Sequence, residues 1–134
     1  MSHNAALRNA AAGLYAGIGI FALAQPARVP QIFGGTASTS ESRTEIRAVY
    51  GGIPLALALA LALVRAGGDG ARSKGLRAAV RYASFGMGLT RLLSGGFERQ
   101  VLPWPTGFFA AVELAAGAAL YEPGTRVNGQ LTRE

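Results

Sequence analysis

The sequence contains no cysteine and a single histidine, His3, near its start. Without Cys there is no disulfide framework, no Cys-based zinc site and no thiol nucleophile. With one His, placed so early, His-based metal ligation and triad chemistry find no support, so no metal and no cofactor is expected. Charge is also scarce: Asp, Glu, Lys and Arg make up 15% of the residues, against about 25% in an average soluble domain. Small residues are abundant instead, with 26 Ala and 19 Gly among 134, and half of the chain is hydrophobic. Few charges and much apolar surface exclude disorder. The length allows one domain, spanning residues 1–134.

The net charge is +6, which on its own would suggest a nucleic-acid partner. The placement of the charges argues otherwise. Residues 9–27 carry none, a gap of 19, and residues 48–64 carry none, a gap of 17. The second gap reads AVYGGIPLALALALALV, with Leu and Ala alternating over 55–63. Alternation can mark a strand, but here both alternating residues are apolar, and Ala and Leu are strong helix formers. A helix apolar on all sides is either deeply buried or spans a membrane. A 13.8 kDa protein has no interior able to surround several such helices.

Two further segments complete the array. Residues 76–95, LRAAVRYASFGMGLTRLLSG, carry Arg77, Arg81 and Arg91, and residues 106–121, TGFFAAVELAAGAALY, carry Glu113. The expected architecture is all-α: a bundle of four transmembrane helices at about 5–24, 39–64, 76–95 and 105–121, with short connections. No cleavage site follows the first apolar stretch, so that span is expected to be retained. With four spans, both termini share a side with the second connection. That side holds Arg8, Arg65, Arg72, Lys74, Arg77, Arg126 and Arg133, seven basic residues; the other holds Arg28, Arg43, Arg47 and Arg99, four. The positive-inside rule then places both termini inside, in an inner (cytoplasmic) membrane, multi-pass. The basic excess reads as topology determinants and lipid contacts. No nucleic-acid partner is expected, because no aromatic residues interleave with the basic ones.

Local signals refine the picture. Gly13 and Gly17 form a G-x-x-x-G pair that permits close helix approach, read here as packing inside the bundle rather than as a homodimer face. Pro26 and Pro30 end the first helix, and QPARVPQIFGG is expected to lie at the interface with Ile32 and Phe33 dipping into the headgroups. Ser38 and Glu41 have capping-box spacing, which starts the second helix near Thr39. From there to Val64 is about 39 Å, longer than a hydrocarbon core. Pro54, preceded by Gly51 and Gly52, cannot donate to the Tyr50 carbonyl and should kink that helix there. RAGGDGARSKG, residues 65–75, reads as a soft loop. Trp104, between Pro103 and Pro105, suits an interfacial aromatic belt, as does Tyr121. The tail from Glu122 is polar and is expected to fray.

Charges inside spans carry the functional information. A lone ionised carboxylate at Glu113 costs several kcal/mol, of order 3 or more on insertion scales, so it must pair, face a polar cavity or be protonated. Arg91 sits near the end of the third helix and Glu113 near the start of the fourth, on the same side, so a pair between them is expected. Arg47 and Tyr50 share a face at i, i+3 near Gly51 and Gly52, with Glu45 turned about 200° from Arg47. Arg81 can snorkel to the interface. The candidate ligand-binding residues are therefore Arg91, Arg47, Tyr50, Gly51 and Gly52, and the candidate acid/base residues Glu113 and Glu45. The charges fit a clasp that fixes helix packing, a site for a lipid-like or polar-headed apolar small molecule, or a membrane acid/base enzyme catalysing isomerisation, cyclisation or epoxide opening. An accessory subunit docking on a membrane protein partner, or a homo-oligomer, would use the Gly and Ala faces.

TEIRAVYGGIPLALALALAL, GLTRLLS and AAVELAAGAAL, preceded by PARVPQIFGG, resemble the small bacterial membrane proteins grouped as domain of unknown function 4345. The resemblance covers residues 7–121, and the E-I-R-A-V-Y-G-G run is its most specific part. It implies a four-helix membrane protein with Glu45, Arg47, Tyr50, Gly51, Gly52, Arg91 and Glu113 as its characteristic positions, and it implies no activity. The layout is also similar to membrane folds that host sterol isomerases, at fold level only. Those isomerases use an intramembrane His, which this chain lacks.

Overall fold

In the computed structural model, which describes residues 3–68, 70–99 and 103–121, every regular element is helical, and no strand occurs among the described residues. Helix α1 is His3–Ala24, α2 is Ser40–Ile46, α3 is Ile53–Gly67, α4 is Ala71–Phe97 and α5 is Phe108–Ala119. Helices α2 and α3 form one continuous rod, joined by a π-helical segment, Arg47–Gly52. The five helices thus make four rods, α1 packed against α3, α3 against α4, α4 against α5, and α1 closing on α5. Ala5–Ala24 and Ser40–Gly67 are each long and apolar enough to cross a membrane.

The ends of the rods differ from expectation in instructive ways. The second rod starts one residue later than the capping-box spacing implies. Thr39 is extended, and its hydroxyl accepts from the Ser42 backbone N–H at 3.1 Å, while Ser42 Oγ donates to the Thr39 carbonyl at 2.9 Å. Ser42 thus takes the N3 place expected of Glu41, but its hydroxyl donates to the Thr39 carbonyl instead of accepting from the Thr39 N–H as a capping box would. The rod then runs to Gly67, and α4 begins at Ala71, so most of residues 65–75 is helix rather than loop. Gly68 makes the turn at φ +64, ψ −151, a conformation open to glycine alone. Ala71, Arg72 and Lys74 are good helix formers, and tertiary contact holds them: a Cβ on Gly67 would lie 2.8 Å from Ser73 Oγ. Helix α5 starts at Phe108 rather than 105, beyond the extended Trp104. The fraying expected from Glu122 onward falls outside the described residues.

Pro54 does not simply kink its helix. It has no N–H to give to the carbonyl four residues back, and its ring crowds that carbonyl. The wider π turn at Arg47–Gly52 takes up both defects. The close helix crossing also lies elsewhere than G-x-x-x-G suggests. Gly13 and Gly17 are exposed, with nothing within 4 Å of an added Cβ. Gly19 and Gly51 make the approach instead: a Cβ on Gly19 would sit 2.9 Å from the Gly51 carbonyl oxygen, and one on Gly51 2.7 Å from Leu23 Cδ2.

The core is small. Ala11, Tyr15, Leu61, Val80, Ala116 and Leu120 cluster at its centre, with Leu57 and Met87 against them. The buried stripe of α4 is Ser73, Arg77, Val80, Ser84, Gly88 and Gly95, spaced by threes and fours and a final seven, as one helix face requires. Arg77, expected among the basic residues that set topology, is buried in the bundle. The opposite face carries Tyr82, Leu89, Leu93 and Phe97, all more than half exposed. Polar and small residues point inward and large apolar ones outward.

Candidate functional site

At the end of the bundle opposite the N-terminus, the rods diverge around a cavity of about 310 Å³. Helix α1 supplies Tyr15, Ile18 and Phe21, the π segment Val49 and Tyr50, α3 Ile53 and Leu57, α4 Met87 and Arg91, and α5 Phe109 and Glu113. The 25–39 connection forms its roof. Two 3₁₀ turns, Pro26–Arg28 and Pro30–Phe33, fold this segment back over the mouth. Buried Val29 and Ala37 anchor it, and Arg43 tethers it by donating to the Ser38 carbonyl at 2.9 Å. Ile32 and Phe33, expected at the headgroups, line the cavity, with Phe33 still 42% exposed.

One ion pair heads this apolar space. Arg91 Nε donates to Glu113 Oε2 at 2.9 Å and to Oε1 at 3.1 Å. The pairing expected from depth is the one that forms. Arg91 lies six residues before the end of α4 and Glu113 five residues after the start of α5, so both are about 8–9 Å from the same end of the bundle. Glu113 is 8% exposed, and a buried carboxylate without a partner is strongly disfavoured. The Arg91 guanidinium also lies over two rings, 5.4 Å from the Phe109 centroid and 5.8 Å from Phe33, within cation–π range. Among the described residues its terminal nitrogens, Nη1 and Nη2, donate to no protein atom. They are free to meet a guest.

The other candidates fall in different places. Tyr50 lines the cavity, half-exposed, and Gly51 holds α1 close. Arg47 does not join them. Its Nε donates to the Leu23 carbonyl at 3.2 Å, capping one of the orphan carbonyls at the α1 C-terminus. The i, i+3 argument that put Arg47 beside Tyr50 assumes 100° per residue, and the π turn between them breaks that register. Glu45 and Gly52 are exposed and line no part of the cavity.

Residues with no place in the charge argument also matter. Tyr15, 3% exposed, bonds to Ser84 Oγ at 2.6 Å, and Ser84 in turn donates to the Val80 carbonyl at 2.7 Å. Their signal was present: Tyr15 is a polar group inside the first uncharged gap, and Ser84 lies seven residues from both Arg77 and Arg91, hence on their face. Around the mouth, Phe33, Trp104, Phe108 and Phe109 form a contiguous aromatic set with centroids 5.4–5.9 Å apart. Trp104 is more than half exposed. Arg81 lies over the Tyr82 and Tyr121 rings at 4.8 and 5.7 Å.

These features define a small all-helical protein built round an apolar cavity, with a buried Arg–Glu pair at the cavity head. The chain belongs to the family described as Domain of unknown function (DUF4345), whose model matches residues 7–122. No curated protein and no solved structure matches it.

Proposed function

We propose that this protein is a four-span integral protein of the inner membrane, with both termini inside, that binds one lipid-like, polar-headed apolar molecule in the cavity beneath Arg91. The observation that carries the reading is the guanidinium itself. Glu113 takes its Nε and fixes its plane, while two terminal nitrogens remain for the polar end of a guest. The rest of the wall is almost wholly apolar. A volume of about 310 Å³ is at the small end of ligand pockets, which run from about 300 to 1,000 Å³.

The inverted polarity of the helices supports the membrane setting. Leu59, Leu93 and Phe97 are 60%, 64% and 85% exposed, while Arg77, Ser84 and Glu113 are buried. In water such a surface would drive association; in lipid it is the expected arrangement. The acid/base alternative draws on Glu113, the one carboxylate in the cavity wall. Both of its oxygens already face Arg91 Nε, and the hydroxyl of Tyr15, in the same cavity wall, is committed to Ser84. Proton transfer would require the ion pair to open, whereas binding uses the site as it stands.

The test is native mass spectrometry of protein purified in mild detergent. A bound amphiphile is expected on the wild type and its loss on Arg91→Gln. A protein that carries no small molecule, and takes none up from a lipid extract, would refute the binding reading.

A further inference from the structure

A second, shallower cavity of about 660 Å³ lies on the far side of Arg91. Ile32, Phe33 and Arg91 line both spaces, so the guanidinium and the Pro30–Phe33 turn stand where an apolar chamber meets an outer vestibule. The vestibule mixes polar and apolar groups, and is much the more polar of the two spaces. Thr90, Ser94 and Thr106 bring hydroxyls, and Glu98 brings a carboxylate. Thr90, Ser94 and Glu98 follow at i, i+4 and i+8, one face of the last turns of α4.

Glu98 is a residue that nothing among the described residues explains. It caps the C-terminus of the 27-residue α4, where the helix dipole and the last carbonyls already favour a cation and disfavour a carboxylate. It is exposed, and among the described residues it makes no ion pair. Arg99 follows it but does not line the vestibule. Moving outward along one helix face, the wall is therefore cationic at Arg91, hydroxylic at Thr90 and Ser94, and anionic at Glu98, with about 10 Å of helix rise between the two charged residues.

We infer that the vestibule receives a zwitterionic head of the phosphoethanolamine class, its phosphate on Arg91 Nη and the hydroxyls, its ammonium at Glu98, its chain in the chamber below. This rests on the binding reading above and adds the charge order of the head. A head with a single negative charge would satisfy Arg91 and leave Glu98 repelling it. A quaternary choline head calls for an aromatic cage, and the vestibule lining holds a single aromatic ring, that of Phe33, against three hydroxyls.

The experiment compares lysophosphatidylethanolamine, lysophosphatidylglycerol and lysophosphatidylcholine of equal chain length, titrated into delipidated protein in detergent. The ethanolamine lipid is expected to bind about fivefold tighter than the glycerol lipid, the size a part-exposed ion pair supports. Glu98→Gln is expected to erase that preference, Glu98→Lys to reverse it, and Arg91→Gln to weaken all three. Equal affinities in the wild type, or a preference untouched by Glu98→Lys, would overturn the head assignment while leaving the cavity reading intact. Failure of every lysolipid to bind would overturn both.

Discussion

The carboxylate of Glu113 receives a single nitrogen of Arg91, Nε, on both its oxygens, at 2.9 and 3.1 Å. A side-on contact of this kind fixes the guanidinium plane and leaves its far edge unused. Because the pair is largely buried, breaking it from one side strands a charge. Glu113→Ala is expected to cost about 3–5 kcal/mol of stability. Adding Arg91→Leu should restore part of that loss by removing the stranded cation, which thermal melting of the four proteins in one detergent would measure. Strictly additive effects of the two changes would deny direct coupling.

Close packing between α1 and α3 predicts a contrast among glycines of one helix. Gly19→Ala sets a methyl 2.9 Å from a backbone oxygen and 2.6 Å from Leu55 Cγ. Leu55 can shift, but the carbonyl cannot without moving the helix. A loss of about 1–3 kcal/mol is expected. Gly13→Ala and Gly17→Ala meet nothing within 4 Å and should be neutral, or stabilising by up to about 1 kcal/mol through helix propensity. Denaturation midpoints of the three variants check this. A larger loss at Gly17 than at Gly19 would place the crossing back at the G-x-x-x-G pair.

The difference between those glycines shows what the sequence makes legible. Charge is read well because it is expensive in an apolar setting. Two uncharged gaps mark two rods, and one Arg and one Glu at equal depth mark their own pairing. Shape is read poorly. Whether a glycine touches a neighbour depends on the rotation of its helix, and Gly19 and Gly51 share no motif. The π turn at Arg47–Gly52 is hidden for a related reason. Pro54 announces a defect, but neighbouring packing decides whether a kink or a widened turn absorbs it, and that decision moves Arg47 off the site. Residues 65–75 read as loop by glycine content, yet only 68–70 connect the two helices.

The hydroxyl pair below the cavity makes an asymmetric prediction. Ser84 donates to Val80 and accepts from Tyr15. Tyr15→Phe removes a donor but leaves the Ser84 hydroxyl its carbonyl partner, so the cost should be about 1 kcal/mol. Ser84→Ala leaves the Tyr15 hydroxyl buried without a partner, which costs about 1–3 kcal/mol. Ser84→Ala should therefore be the worse change, and Tyr15→Phe with Ser84→Ala should recover toward Tyr15→Phe alone. Melting temperatures in that order support the pair; Tyr15→Phe as the worst of the three would contradict it.

The absence of native cysteine makes the proposed topology directly testable, because each introduced thiol is the only one. Ser38→Cys lies in the exposed 25–39 connection, and Gly70→Cys in the opposite one, with nothing within 4 Å of the new Cβ. With both termini inside, a membrane-impermeant maleimide should label Ser38→Cys in intact cells and Gly70→Cys only after permeabilisation. The decisive position is Leu59, 60% exposed in the middle of Ser40–Gly67. If that surface faces water, Leu59→Cys reacts as readily as any loop thiol. If it faces lipid, water and a charged reagent are both excluded, the thiol does not ionise, and no label appears until the protein is unfolded in detergent. Labelling of Leu59→Cys in native membranes would remove the span, and with it the reason for reading the outward-facing leucines as a lipid surface.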